Sequence, residues 1–346
     1  MRILFYSYPW AFQKIGGGET QLLKTREFLE KKGIEIRLFN QWEDKLSDYD
    51  ILHIFGSVKD CVGLIEVAKE NKLKICVSSI FWTDIRRCFG EIGIKNKTNA
   101  FLRHCTKKVL PFFPSGRRKI FELADLILPN SESEANQIKK YFFIDKSKFV
   151  VIPNGVDERF KDATPEEFIK KYQLKNFVLY VGRIEPRKNQ LNFIRAMKGF
   201  SAAPIVFVGD YTLEHKYYYD ICLREKTDNM FFLGHIAGDS ALFSSMYAAC
   251  KVFCLTSWFE TPGLAALEAA ASGKNIVITP YGSTKDYFGN YAFYARPHKL
   301  KEIREKVEIG LNSSPKEDFK QHVLDNFRWE KVAEATFMAY ENLLRH

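Results

Sequence analysis

Short apolar runs of five to seven residues alternate with amphipathic helical stretches along this chain, and the whole pattern runs twice. "RILFYSY" reads as a first strand, followed by the glycine-rich turn "KIGGGET" and the helix "TQLLKTREFLEKKG". "IEIRLFN", "DILHIFG", "LKICVSS", "ADLILPNS" and "KFVVIPNGV" read as further strands of the first set. The alternation then restarts with "NFVLYVGR", "PIVFVGD", "MFFLGHI", "KVFCLTS" and "NIVITP". Near-continuous apolar strands separated by helices are the signature of a parallel α/β sheet buried on both faces. The polar stretch "DERFKDATPEEF" divides the two sets. A chain of 346 residues is long enough for two such cores. The expectation is two doubly wound, Rossmann-like domains facing a cleft, 1–165 and 166–327, followed by a last amphipathic helix, 328–346, whose packing partner this pattern does not name. Ligands of open α/β sheets bind at the carboxyl ends of the strands, so candidate residues are sought there.

Charge separates the two halves. Residues 1–155 carry 26 Lys/Arg against 18 Asp/Glu, and the remainder 26 against 24. Within the first half, residues 85–120 hold ten basic side chains and one acid, Glu91, together with Phe89, Phe101, Phe112 and Phe113. This mixture of cations and aromatics suits an anionic membrane surface or, as the alternative, a basic face that steers an acidic soluble acceptor. It carries no nucleic-acid motif, so nucleic acid is not an expected partner. No apolar run approaches the ~20 residues of a spanning helix, and "MRILFYSYPW" reads as a strand rather than a signal peptide. Seven cysteines without a CxxC pair argue for reduced thiols, not a disulfide framework or zinc site. The expected location is the cytoplasm, with peripheral attachment to a membrane.

The chemistry concentrates in "SWFETPGLAALEAAASGKNIVITP", residues 257–280. Thr261-Pro262 reads as a helix start, with a hydroxyl N-cap and proline at the first helical position, and Ser272-Gly273 as its end. Glu260 then lies in the loop between a strand end and a helix N-terminus, where free amides favour an anion. Glu268 sits eight residues on, too far along a helix for a close acid/base pair. The two carboxylates can instead grip opposite ends of one extended ligand. Arg183 and Lys188, in "YVGRIEPRKN", repel each other unless an anion lies between them, and a diphosphate fits that demand. "GGGET" at 16–20 places backbone amides after the first strand, but it lacks the third glycine of a dinucleotide fingerprint. His53, in "DILHIFG", reads as a structural hydrogen-bonding residue, with an acceptor contact as the alternative.

Taken together, Glu260 and Glu268 in "FETPGLAALEAAASG", with "VGRIEPRKN", "VIPNGVDERF", "LPNSESEANQIKKYF", "FFLGHI" and "RWEKVAEATFMAYENLL", resemble the retaining GT-B glycosyltransferases called GT4. The resemblance runs over nearly the whole chain in the family's order. It implies that Arg183 and Lys188 neutralise a donor diphosphate, that Glu260 holds hydroxyls of the transferred sugar, and that Glu268 holds the ribose. It implies that the amides of Gly263 and Leu264, next to Pro262, cap the phosphate and sugar. The backbone of Gly234, His235 and Ile236 would meet the nucleobase, Gly17 and Gly18 would approach the donor from the other domain, and the final helix would return to the N-terminal domain. Two departures stand out. Pro262 replaces the aromatic residue common before the Gly-Leu pair, and Ser79 stands roughly where many members carry a histidine.

The expected activity is therefore transfer of a sugar, with retention, from a nucleoside diphosphate sugar to a glycan or lipid-linked acceptor hydroxyl, in surface polysaccharide, glycolipid or glycan assembly. No metal or other cofactor is expected, because fixed cations and a helix N-terminus meet the leaving diphosphate. The alternative is a non-catalytic binding protein for a sugar nucleotide or lipid phosphate on the same fold. A nicotinamide oxidoreductase would share the sheet but leave Glu260, Arg183 and Lys188 unexplained.

Overall fold

The computed structural model describes residues 1–13, 16–109 and 115–345, with side chains throughout except at Arg87 and 103–109. Phe112 and Phe113 lie outside the described residues, as do the side chains of Lys107 and Lys108. The chain divides into two compact units, Met1–Thr83 with Cys105–Gly155 and Phe327–His346, and Asp84–His104 with Val156–Asn326. Asp84–His104 thus fall in the second unit, inside the stretch 1–165 that the sequence assigns to the first domain.

In the first unit, β1 (Arg2–Tyr6), β2 (Glu35–Leu38), β3 (Ile51–Phe55), β4 (Lys74–Ser78) and β5 (Leu126–Leu128) form a parallel sheet in the order β2-β1-β3-β4-β5. All residues of β3 and the last four of β4 are buried, which explains their unbroken apolar character. "KFVVIPNGV" adds no strand. Phe149 makes one bridge to Ile127, and the amides of Val150 and Ile152 bond carbonyls at Ile127 and Pro129 before Pro153 removes a donor. The final helix, Trp329–Arg345, belongs to this unit, buries Trp329, Val332, Ala333, Thr336 and Tyr340 at helical spacing, and packs beside the helix Gly17–Glu30. Its Tyr340 hydroxyl meets His53 Nδ1 at 2.5 Å, and Ser78 Oγ lies 2.9 Å from His53 Nε2. Burial pulls His53 down to about 3, which favours the neutral imidazole between these two hydroxyls.

The second unit holds β6 (Phe177–Val181), β7 (Ile205–Val208), β8 (Met230–Phe232), β9 (Cys250–Leu255), β10 (Asn275–Ile278) and β11 (Phe293–Tyr294) in the parallel order β11-β10-β9-β6-β7-β8. β6 and β9 lie side by side at its centre, so the loops after these two strands open at the same edge. Those loops carry Arg183 to Lys188 and Ser257 to Glu260. The six described cysteines are buried thiols. Among the described residues no helix is long and apolar enough to cross a membrane.

Candidate functional site

The chain leaves β9 at Leu255 and passes through Thr256, Ser257, Trp258 and Phe259, all buried, to Glu260, which is only 4% exposed. The backbone of Glu260 is stapled to the loop after β10. Its amide donates to the Tyr281 carbonyl at 3.1 Å, and its carbonyl accepts from the Ser283 amide at 2.8 Å. Gly282, between those partners, has φ 99°, and a Cβ there would sit 1.9 Å from the Glu260 carbonyl oxygen. Only glycine allows this approach.

The carboxylate faces cations. Lys188 Nζ donates to Oε1 at 2.6 Å, and Arg187 Nη1 lies 3.7 Å from the same oxygen. Burial is the largest influence on Glu260 and works to raise it. The Lys188 and Arg187 charges, with the hydrogen bond from Lys188, outweigh burial and hold the carboxyl below its ordinary value. Lys188 is pulled down, first by burial and further by Arg187, against the opposing pull of Glu260. Arg187 also pairs with Glu185 at 2.9 Å, and its guanidinium lies 5.5 Å from the Phe259 ring. This loop is a short 3₁₀ turn, Pro186–Lys188, ended by Asn189 at φ 64°. The Asn189 amide group donates to the Thr256 and Pro297 carbonyls, both at 2.9 Å, which ties the β6 loop to the end of β9.

Arg183 stands apart from this cluster. It is exposed, and among the described residues no carboxylate pairs with it. A Cβ at Gly182, the residue before it, would lie 3.5 Å from Lys188 Cε, so the two cations emerge at the same strand end. The structure therefore leaves one cation open and commits the other to Glu260.

The helix after Glu260 begins later than the sequence suggests. It spans Leu264–Ala271 with Gly263 as N-cap at φ 91°, so Thr261 is no cap and Pro262 no first helical residue. The left-handed glycine redirects the chain between the proline and the helix. Glu260 is accordingly not on the same helix as Glu268. The latter projects from the helix body, where its Oε2 accepts from the Tyr247 hydroxyl at 2.6 Å. Burial pushes Glu268 up to about 7, against the Tyr247 hydrogen bond and Arg159, with Asp157 adding to the rise. Gly234 and His235 are exposed after β8 and Ile236 is buried, while the Gly234 carbonyl accepts from Gly209 at 2.8 Å.

In the first unit, Gly17 and Gly18 form the first turn of the helix after β1. Glu19 reaches back to the Gly16 amide at 2.9 Å and accepts from the Tyr8 hydroxyl. Ser79 is fully buried and donates to Glu134 at 2.5 Å. The basic stretch divides. In the helix Ile94–Val109, Ile94 (85%), Leu102 (55%) and Phe101 (47%) are exposed, as are Lys95 and Lys97. Arg117, by contrast, turns inward, with Nε 3.0 Å from the Ser57 carbonyl and its guanidinium 5.3 Å from the Phe81 ring. Arg118 pairs with Glu122 at 2.6 Å. Arg86 is drawn onto the Tyr281 ring at 3.7 Å.

Three residues of this arrangement escape a reading of the sequence: Arg187, Gly282 and Tyr247. Arg187 could have been found as a second cation in the Lys188 loop, and Gly282 as a glycine just past a strand end. Tyr247 gives no local signal.

Residues 37–160 match the family described as Glycosyltransferase Family 4, and residues 164–321 match Glycosyl transferases group 1. The serotype-specific mannosyltransferase WbdA of Escherichia coli is 25% identical over 294 residues, 79% of this chain and 35% of that protein. A Campylobacter jejuni N-acetylgalactosaminyltransferase, named for a diphospho-undecaprenol substrate, is 25% identical over 219 residues, 60% of this chain and 57% of the enzyme. The chain thus spans about a third of the length of WbdA. The solved structure of Anabaena HepE in complex with UDP superposes with a TM-score of 0.73 at 17% identity, covering 99% of this chain and 100% of HepE. With the two family matches in tandem and the likeness in fold over the full length, the chain belongs to the group 1 glycosyl transferases of glycosyltransferase family 4, built on the GT-B fold.

Proposed function

We propose that this chain is a retaining glycosyltransferase that moves a sugar from a nucleoside diphosphate sugar to a hydroxyl of a glycan or lipid-linked acceptor in polysaccharide or glycolipid assembly. The observation that carries the reading is the buried Glu260, 2.6 Å from Lys188 at the end of β9 and just before the Gly263 helix start. As the glycosidic bond breaks, negative charge builds on the leaving diphosphate. Arg183, Lys188 and the amides of Gly263 and Leu264 are fixed positive groups that suit it. Without a donor, Glu260 is the counter-anion of Lys188. With a donor, the diphosphate shares that cation and the Glu260 carboxylate accepts from sugar hydroxyls. Glu268, beyond the helix start, accepts from the ribose. The backbone of Gly234, His235 and Ile236 borders the base, and Gly17 and Gly18 approach the donor. The complex of HepE with UDP supports the donor class. Cations and amides meet the diphosphate charge, so the mechanism needs no metal. Transfer from a labelled nucleoside diphosphate sugar, with the anomeric configuration of the product read by NMR, tests the reading. Inverted product, or activity lost in EDTA and restored by Mg²⁺ or Mn²⁺, would refute it.

The helix Ile94–Val109 supports peripheral attachment to the cytoplasmic face of a membrane. It carries Lys95, Lys97, Arg103, Lys107 and Lys108 with no acid, and exposes Ile94, Phe101 and Leu102. Each basic residue near an anionic leaflet contributes roughly 1 kcal/mol. Because Arg117 faces inward, charge reversal belongs at Lys95 and Lys97. That variant should release the protein from phosphatidylserine vesicles in co-sedimentation. Wild-type protein that stays in the supernatant at low salt defeats this attachment.

A further inference from the structure

The end of β4 carries a strained turn that the transfer chemistry above does not use. Ile80 adopts φ 41°, a conformation that a β-branched residue enters only when its surroundings force it, at a cost on the order of 1–3 kcal/mol. Glu134 supplies the force. Its side chain, with no exposure, accepts from Ser79 Oγ at 2.5 Å and from the Phe81 amide at 2.6 Å, the two residues flanking Ile80. The other carboxyl oxygen accepts from the Asn130 amide at 2.9 Å.

One turn further along the same helix, Glu132–Phe142, Gln137 repeats the grip. Its Oε1 accepts from the Thr83 amide at 2.7 Å, and its Nε2 donates to the Thr83 carbonyl at 3.0 Å. The turn so held presses on the glycine loop. A Cβ at Gly18 would lie 3.3 Å from Ile80 Cδ1, so the isoleucine is seated against the first turn of the helix Gly17–Glu30.

We propose that Glu134 is a positioning residue, which clamps the Ser79–Phe81 turn so that Ile80 sets the place of the Gly17–Gly18 helix start. Three donors on one carboxyl group explain why a glutamate is buried here, and the position of Ile80 explains why the strain persists. Burial pushes Glu134 up to about 7, and the groups that face it are the Ser79 hydroxyl and the amides of Phe81 and Asn130, none of them charged. The effect on turnover rests on the reading that Gly17 and Gly18 approach the donor. The clamp itself does not.

The test uses the full chain as wild type, Glu134→Gln and Ser79→Ala. Glutamine turns one acceptor into a donor and sets it against a backbone N–H. Amide hydrogen exchange should accelerate at least ~10-fold at 18–20 and 80–81 in both variants, the size of about 1.4 kcal/mol of lost protection. Transfer should fall about 10-fold in kcat, while affinity for UDP, the nucleotide probe, stays within about two-fold. A general loss of stability would not divide the effects in this way. Unchanged exchange at 18–20 in either folded variant overturns the clamp. Accelerated exchange with unchanged kcat overturns its role in positioning. If Glu134→Gln does not fold, Ser79→Ala, which keeps both backbone bonds, decides. Wild-type protein without transferase activity would defeat the proposed function, and the exchange data would still decide the clamp.

Discussion

Each unit buries a glutamate beside the carboxyl ends of its strands, Glu134 in the first and Glu260 in the second, and their partners differ in kind. Glu134 meets a hydroxyl and two amides, all neutral, and burial carries it up to about 7. Glu260 is nearly as buried, yet Lys188 and Arg187 outweigh that burial and keep it below its ordinary value. Glu268, eight residues on, sides with Glu134, because its close partner is the Tyr247 hydroxyl. Depth in the protein therefore says little about the charge of a carboxyl group; the charge of its neighbours decides. A glutamate kept ionised by cations can share those cations with a phosphate. A glutamate poised near neutrality can hold a turn or a hydroxyl through hydrogen bonds without a buried charge at stake.

The contrast can be broken most sharply at Lys188. Lys188→Met leaves the Glu260 carboxylate with Arg187 alone at 3.7 Å, and loss of one partner from a buried pair costs about 3–5 kcal/mol. Urea unfolding should show a loss of that size, with part of it recovered in Lys188→Met/Glu260→Gln. A loss below ~1 kcal/mol would mean that Glu260 does not depend on this cation.

The next effect separates the two glutamates of the second unit. Glu260→Ala should lower turnover by at least ~100-fold, the scale of a lost transition-state contact, with little change in UDP affinity. Glu268→Ala should instead weaken UDP itself. Calorimetric titration of both variants with UDP, beside their turnover, reads the split. Equal UDP losses in the two would remove the distinction between sugar and ribose contacts.

The smallest effect is in pH. Glu134 titrates near 7 in the folded chain and near its ordinary 4.5 when unfolded, so between those values the folded state binds more protons. Its contribution to stability is complete below the lower value and is lost as pH rises through about 7. Glu260 has the opposite sign, since its contribution is present above its ordinary value and lost on acidification. His53, neutral when buried, also loses stability towards acid and partly masks Glu134. The difference between wild type and Glu134→Gln isolates the carboxyl. Between pH 5 and 8 the wild type should lose roughly 1–3 kcal/mol relative to the variant, measured by denaturant unfolding. A flat difference would place the Glu134 carboxyl outside this window.

The strands were legible because a parallel sheet covered on both faces needs apolar runs, and ten of the eleven strands among the described residues fall within the runs quoted, although β2 alternates. The eleventh, β11, is two residues long and carries no pattern. "KFVVIPNGV" has the composition of a strand, but Pro153 and a single bridge leave it as extended chain. At the site, Glu260, Arg183 and Lys188 stood out as charged residues just past strand ends, and Glu268 as a carboxylate within an alanine-rich helical run. Arg187 did not, since its pairing with Glu260 joins loops more than seventy residues apart. Thr261-Pro262 has the local chemistry of a helix start, and only the left-handed backbone at Gly263 moves that start to Leu264.

The sequence by itself determined two parallel α/β units, the edge of each sheet where chemistry can sit, and the residue types available there. Those follow from periodicity and from the cost of burying charge, which act over a few neighbouring residues. Tertiary structure alone decided which partner each glutamate meets, a cation for Glu260 and neutral donors for Glu134 and Glu268. Lys188, read as a phosphate ligand, also meets Glu260; Arg117, within the basic stretch read as a membrane surface, is found on Ser57; and Glu134, part of a motif, is found on Ser79 and Phe81. Such pairings depend on distances between residues remote in sequence, and at a few ångströms those distances set both the protonation and the geometry of a buried group.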